Sequence, residues 1–223
     1  EQIINQAIQL HLEGNISEAA KYYQLIINQG CDNHIVFSNY GAIFQGQGKL
    51  EEAEKLYRAA IQLNPNYSTA HSNLGNILRD LGKLQEAELS TLRAIELNPD
   101  LANAHFNLGN ILRVIGKLEE AEKSYRKAIE LNSDHANAFF NLGVILKDLG
   151  KLEEAEKSYR RVIQLNPNYS IAHANLGNIF RDLGKLQKAE VTTRKAIELN
   201  PDFADPHSNL GNILRDLGKF QEA

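Results

Sequence analysis

An asparagine recurs through the chain at Asn5, Asn39, Asn73, Asn107, Asn141, Asn175 and Asn209, one every 34 residues. Asparagine is an indifferent helix former, so propensity does not account for it inside segments whose pattern is helical. A primary amide carries two N–H donors and an oxygen with two lone pairs. It can bond the N–H and the C=O of one peptide unit together, which reads main chain and tolerates many sequences. Three further rows follow in register: Asn76, Asn110, Asn178 and Asn212, interrupted by Ala42 and Val144; Arg79, Arg113, Lys147, Arg181 and Arg215; and Asp80, Asp148, Asp182 and Asp216, with Val114 in the odd unit. The candidate peptide-binding residues are thus Asn39, Asn73, Asn107, Asn141, Asn175, Asn209, Asn76, Asn110, Asn178, Asn212, Arg79, Arg113, Lys147, Arg181 and Arg215. Specificity would come from the charged rows. A competing account makes the same amides structural, with Asn73 and its copies bonding the next repeat's first helix, for instance through Asn76 and its copies.

Catalytic and metal-binding patterns are not found. The Gly-Lys pairs (Gly82-Lys83 and its copies) lack the glycine before and the Ser/Thr after that a phosphate-cradling loop requires. His71, His105, His173 and His207 stand one repeat apart. Stacked helices lie roughly 8–10 Å apart, whereas zinc holds its ligands at about 2 Å, so neighbouring copies do not share a metal and the rings are expected to pack. Cys31 is the single cysteine, with no adjacent His or basic cluster, and reads as a passive thiol. No catalytic residue, metal or cofactor is expected, and the chain is not expected to be an enzyme.

These residues need elements to position them. Glycines at Gly41, Gly75, Gly109, Gly143, Gly177 and Gly211 share the 34-residue period. So do Gly14, Gly48, Gly82, Gly116, Gly150, Gly184 and Gly218, and the alanine series from Ala19 to Ala223. In residues 68–101, Ala70, Leu74, Ile77, Leu78 and Leu81 form one helical face. Gly82 ends that helix, since glycine takes the left-handed C-terminal position without a Cβ clash. A second helix turns Leu84, Ala87, Ala94, Ile95 and Leu97 inward and stops at Asn98-Pro99. The small Gly75 and Ala87 let the two helices approach closely. Glu54/Arg58, Glu122/Arg126, Glu156/Arg160 and Glu190/Arg194 are spaced i,i+4 on second helices and are expected to decorate a solvated outer face. The repeats run 1–33, 34–67, 68–101, 102–135, 136–169, 170–203 and, in part, 204–223, forming a single array over 1–223. The first is atypical, with Ala7 for glycine and Cys31 for proline. In the last, Leu210, Ile213, Leu214 and Leu217 would lack a covering helix, from which the natural protein is expected to continue. Residues 49–82 match 151–184 better than they match the adjacent 83–116, so three-repeat blocks duplicated together.

The pattern Tyr40-Gly41, Phe44, Ala53, Tyr57, Ala60 and Pro65 resembles the tetratricopeptide repeat, and the resemblance spans the whole chain. The Trp that often opens the family motif is replaced by His71, His105, His173 and His207, or by Phe37 and Phe139. The resemblance implies an all-α fold, a right-handed α-solenoid of stacked helix-turn-helix units whose first helices line a concave groove. The run FADPHSNLGNILRDLGKFQEA (203–223) is similar to the superhelical arm of O-GlcNAc transferases. In that family an asparagine ladder grips the backbone of substrate proteins, which by position implies the same for Asn39, Asn73, Asn107, Asn141, Asn175 and Asn209. The lysine clamp by which other members hold chaperone C-termini is not expected, because its places hold Thr69, Ser72, Asn103 and Phe106.

Composition narrows the partners. The 223 residues carry 24 Lys+Arg against 28 Asp+Glu, a formal charge of −4, so the basic excess of a nucleic-acid binder is missing. No apolar run approaches the about 18 residues of a membrane span, and the opening residues EQIINQAIQL show neither a starting Met nor a signal-peptide pattern, from which a fragment is expected. The expected function is a protein-interaction scaffold binding an extended protein or peptide segment in the groove. The alternative is the substrate-recruiting arm of a larger enzyme, such as a glycosyltransferase. Helical-repeat RNA binding fits poorly, since that repeat is one residue longer and basic. End-to-end self-association through the incomplete last repeat is a further possibility, and cytoplasmic residence is the default for so cysteine-poor a chain.

Overall fold

A computed structural model describes residues 1–221, and among these it contains thirteen α-helices and no strand. Ala223, the end of the alanine series, lies outside the described residues. The chain divides into two compact units, Glu1–Ile115 and Gly116–Ala223. The first contains α1 (Gln2–Leu12), α2 (Ile16–Asn28), α3 (His34–Gly46), α4 (Leu50–Leu63), α5 (Ser68–Asp80), α6 (Leu84–Leu97) and α7 (Ala102–Ile115). The second contains α8 (Leu118–Leu131), α9 (Ala136–Asp148), α10 (Leu152–Leu165), α11 (Ser170–Asp182), α12 (Leu186–Leu199) and α13 (Ala204–Asp216). Within each unit every helix packs on its chain neighbours, as a helical repeat requires.

The turns follow from local chemistry. Gly82 has φ +75°, a left-handed conformation that costs other residues a Cβ clash. It lets the Lys83 N–H reach back 2.8 Å to Leu78 O while the Leu81 N–H bonds Ile77 O, closing the last turn of α5. At the other end of the unit, Asn98 leaves helical geometry at φ −145°, ψ 92° ahead of Pro99. The histidines expected merely to pack do more than that. Nε2 of His71, His105, His173 and His207 lies 3.0, 2.8, 2.9 and 2.8 Å from the carbonyl oxygens of Pro65, Pro99, Pro167 and Pro201. A carbonyl only accepts, so each Nε2 carries a proton and ties its helix to the preceding turn.

Inside a repeat the helices meet at the first-helix glycine. A Cβ added at Gly75 would sit 2.0 Å from Thr91 Oγ1 and 3.1 Å from Ala87 O; at Gly177 it would sit 2.3 Å from Thr193 Oγ1. In the tyrosine repeats, the Tyr57 ring lies over Gly41 and the Tyr159 ring over Gly143, with added Cβ atoms at 3.0 and 2.9 Å. These contacts are buried: Tyr23, Tyr57, Ala87 and Thr91 are inaccessible to solvent. Of the four α13 residues expected to lack a cover, Ile213 and Leu214 are 0% and 2% exposed because α13 packs back onto α12 and α11, whereas Leu210 and Leu217 are half-buried.

The glutamates of the i,i+4 pairs also depart from expectation. Their side chains are only 11–13% exposed at Glu54, Glu122, Glu156 and Glu190. Each is held from its own helix by Arg58, Arg126, Arg160 or Arg194. Each is held again by a lysine of the next repeat's turn: Lys83 at 2.8 Å, Lys151 at 2.8 Å, Lys185 at 2.7 Å and Lys219 at 2.7 Å. These four Gly-Lys turns are therefore inter-repeat clasps. The Lys83 ammonium holds the Glu54 carboxyl below the ordinary range, and Lys219 does the same for Glu190. At Glu122 and Glu156 burial opposes the charge, but the lysine and arginine prevail and the shift is again downward.

Two outcomes follow. A carboxyl depressed on folding binds fewer protons than in the unfolded chain, so its stabilisation is complete above the ordinary value of about 4.3 and disappears as pH falls through the folded value. Melting should therefore fall steeply below about pH 4, and Glu54→Gln with Glu190→Gln should melt earlier at neutral pH and show a shallower acid limb. Gly75→Ala should lower the urea midpoint: overpacking costs about 1–3 kcal/mol, against a helix-propensity gain of about 1 kcal/mol. Adding Thr91→Ala to Gly75→Ala should recover part of the loss.

Candidate functional site

The asparagine ladder occupies the first helices, at Asn39 on α3, Asn73 on α5 and Asn107 on α7 in the first unit, and at Asn141 on α9, Asn175 on α11 and Asn209 on α13 in the second. All six are half-buried. They sit beside the apolar stripe rather than in it, since the next residue in the chain (Tyr40, Leu74, Leu142, Leu176) is the one that enters the core.

Their partners differ from repeat to repeat. Asn39 donates from Nδ2 to Tyr23 Oη at 3.3 Å. The Asn175 side chain hydrogen-bonds the Tyr159 hydroxyl, whose pKa is nonetheless raised, chiefly by burial. Asn107 donates from Nδ2 to Ser72 O at 3.2 Å and to Ser72 Oγ at 3.1 Å. These bonds run to the preceding repeat, not onward to the next repeat's second amide row. Asn73 and Asn209 make no side-chain hydrogen bond among the described residues. The tyrosine that would reach Asn73 is Tyr57, whose hydroxyl instead donates to Gln45 Oε1 at 2.9 Å. The residue sixteen places before Asn209 is Thr193, too short to reach.

The other rows are equally uneven. Asn110 is buried, while Asn76, Asn178 and Asn212 are half-buried. The Asn178 Oδ1 is shielded from solvent and has no hydrogen-bond partner. Asn212 Oδ1 accepts from Arg215 Nη2. Arg79 is folded onto Asp80, with Nη2 2.6 Å and Nε 3.0 Å from Oδ1, and Arg181 lies 3.9 Å from Asp182. Arg113 and Lys147 are exposed. The charge of this face is thus locally compensated at Arg79–Asp80 and, more loosely, at Arg181–Asp182.

Residues of both amide rows come together in the second unit. Asn175, Asn178 and Asn209 line a polar niche of about 260 Å³, with Ala174, Phe203, Asp205 and Ser208 completing it. Sequence reasoning missed Asp205 and Ser208. A signal for the first existed: Asp205 is an acid where the five preceding repeats have Ile35, Thr69, Asn103, Asn137 and Ile171, and only the atypical first repeat has another, Glu1. Among the described residues no cluster of His, Cys, Asp or Glu is placed to hold a metal ion, and no helix is long and apolar enough to cross a membrane.

Comparisons with known proteins agree with this geometry at the level of the fold. A TPR repeat model matches residues 41–82, 75–113, 109–150 and 177–218, and two tetratricopeptide repeat models match 136–169 and 158–191. No curated protein matches the chain. Among solved structures, YrrB, described as a TPR protein with an unusual peptide-binding site, is 24% identical, with 85% of this chain and 97% of that chain covered at a TM-score of 0.67. PilF of Pseudomonas aeruginosa is 16% identical, with 95% and 96% covered at 0.83. Cut9, in the Cut9–Hcn1 assembly of the APC/C, is also 16% identical, with 95% of this chain and 42% of that chain covered at 0.83. The thirteen helices, their glycine and proline punctuation and these matches together make the chain a member of the tetratricopeptide repeat family, whose proteins generally act as protein-interaction scaffolds.

Proposed function

We propose that the first-helix face binds an extended segment of a partner protein through the main chain, using the asparagine ladder. The observation that carries this reading is the niche on α11 and α13, where Asn209 is free of side-chain partners and a shielded Asn178 oxygen lacks a donor. The tied asparagines keep binding capacity as well. Asn39 and Asn107 each commit one amide nitrogen to a neighbouring repeat and retain an oxygen for a backbone N–H. Stacked helices step by about 8–10 Å, which is roughly three residues of extended chain at about 3.3 Å each. One asparagine per repeat therefore meets every third peptide unit. Selectivity falls to Arg79, Arg113, Lys147, Arg181 and Arg215, and to Asp205 in the niche. The likeness of residues 203–223 to the superhelical arm of O-GlcNAc transferases supports the same use of the ladder.

A paired set of variants on a peptide array separates binding from scaffolding. Asn73→Ala with Asn209→Ala removes two amides that hold nothing in the fold. Peptide capture should drop while the melt stays within about 0.5 kcal/mol of wild type. Asn39→Ala, Asn107→Ala and Asn175→Ala together should both weaken capture and melt earlier, at about 0.5–1.5 kcal/mol for each lost hydrogen bond. Unchanged capture by the Asn73/Asn209 pair would leave the ladder as scaffold alone.

A further inference from the structure

The second helices carry a feature that the ladder does not use. Where two consecutive second helices lie side by side, a groove opens above the first helix between them. An ion pair spans two of these grooves: Arg58 of α4 to Glu86 of α6 at 2.7 Å, and Arg126 of α8 to Glu154 of α10 at 2.5 Å. Those grooves have volumes of about 410 and 490 Å³. Between α10 and α12 the arginine is kept as Arg160, but the acid is replaced by Lys188. Every other second helix from α4 to α10 has glutamate there, at Glu52, Glu86, Glu120 and Glu154. The groove so altered has a volume of about 620 Å³.

Its electrostatics are unbalanced. Arg160 and Lys188 both line it. Among the described residues the carboxylate these cations act on is Glu156, which is paired with Arg160 at 2.8 Å and Lys185 at 2.7 Å and also feels Lys188, so three cations share one carboxylate. Lys188 makes no ion pair among the described residues. It also sits in the first turn of α12, which has no acidic residue there, whereas the first turns of α4, α6, α8 and α10 all do. A cation at the positive end of a helix dipole is in an unfavourable place, and an anion would relieve it. The groove floor is apolar, with Leu176 and Phe180, and the Arg160 guanidinium stands over the Phe180 ring at 5.6 Å. Val191 forms a wall and is 70% exposed; at the same place α10 has Lys157.

We propose that the α10–α12 groove docks an acidic segment of a partner protein, with an apolar side chain over Phe180 and Val191 and a flanking carboxylate between Arg160 and Lys188. The docking is separate from the asparagine ladder, which lies on the first helices. The loss of the bridging acid is what opens this groove to an anion, and the two grooves that keep their ion pair are not expected to bind one.

The test uses fluorescence anisotropy of the full chain with a labelled peptide of alternating leucine and glutamate, its glutamine-for-glutamate counterpart, and sedimentation with phosphatidylserine vesicles. Lys188→Glu is the informative variant, since it restores the residue found in the other second helices and the favourable first-turn acid, so the fold is kept. The acidic peptide should bind saturably, more weakly at high salt, and about tenfold more weakly to Lys188→Glu. Because the ladder reads main chain, the comparison is repeated in the Asn73→Ala, Asn209→Ala background, where Lys188→Glu should still weaken binding of the acidic peptide about tenfold. The proposal fails if the glutamine peptide binds equally well, or if Lys188→Glu binds the acidic peptide unchanged. It fails also if the vesicles alone are bound in a Lys188-dependent way.

Discussion

Four of the repeats are organised by one steric contact, between the glycine of the first helix and the residue sixteen places later that lies across it. Tyr57 covers Gly41 and Tyr159 covers Gly143, whereas Thr91 and Thr193 press their hydroxyls onto Gly75 and Gly177. Because the glycine has no Cβ, the second helix comes close enough to bury the covering side chain whole. The choice between tyrosine and threonine then propagates outward. A tyrosine is long enough to pass the helix pair and present its hydroxyl to the next repeat, which is how Tyr23 reaches Asn39 and Tyr159 reaches Asn175. A threonine ends inside the contact. Asn107, sixteen residues after Thr91, turns to Ser72 instead, and Asn209, sixteen after Thr193, is left to line a niche.

Charge follows the same division between what lies within a repeat and what lies between repeats. On the first helices Arg79 is paired with Asp80 and, at 3.9 Å, Arg181 with Asp182; such surface pairs are worth about 0–1 kcal/mol. On the second helices the glutamates are nearly buried and are shared between their own arginine and the following repeat's lysine. Stripping such a carboxylate of its partners leaves a desolvated charge, a far costlier event than losing a surface pair. The clasps therefore contribute to the nearest-neighbour coupling on which a repeat array depends, and they give Lys83, Lys151, Lys185 and Lys219 a role in their turns.

Much of this was legible in the sequence because the punctuation is local. A left-handed glycine such as Gly82 and a helix-ending Asn98-Pro99 act within a few residues, so the helix limits and the 34-residue period could be read without coordinates. The partners of the ladder could not, because Asn39–Tyr23, Lys83–Glu54 and Asn107–Ser72 join residues 16, 29 and 35 apart. None of these offsets belongs to the period of a single helix; each measures how one repeat sits on the next. The near-burial of Glu54 and its copies was missed for the same reason. An i,i+4 pair looks solvated until the following turn is laid over it. Lys188 was visible as a break in an otherwise constant column of glutamates, and Asp205 as an acid in a variable one, but their meaning needed the groove and the niche that surround them.

The two accounts of the asparagines, ligand and scaffold, are not exclusive. A primary amide has more hydrogen-bonding capacity than one structural bond consumes, and an amide already anchored to the preceding repeat loses less side-chain freedom when a peptide arrives. The anchored asparagines are thus preorganised, and the unanchored ones carry the larger unmet capacity. Among the described residues three shielded polar atoms have no partner: Thr91 Oγ1, Thr193 Oγ1 and Asn178 Oδ1. Leaving such an atom unsatisfied costs about 1–3 kcal/mol. At the two threonines the cost has a packing explanation, since the hydroxyls are pinned against Gly75 and Gly177. Asn178 has no such constraint and borders an open niche. An alanine in that place, as at Ala42 of an earlier repeat, would avoid the loss, so the retained amide argues for a donor that arrives from outside the chain.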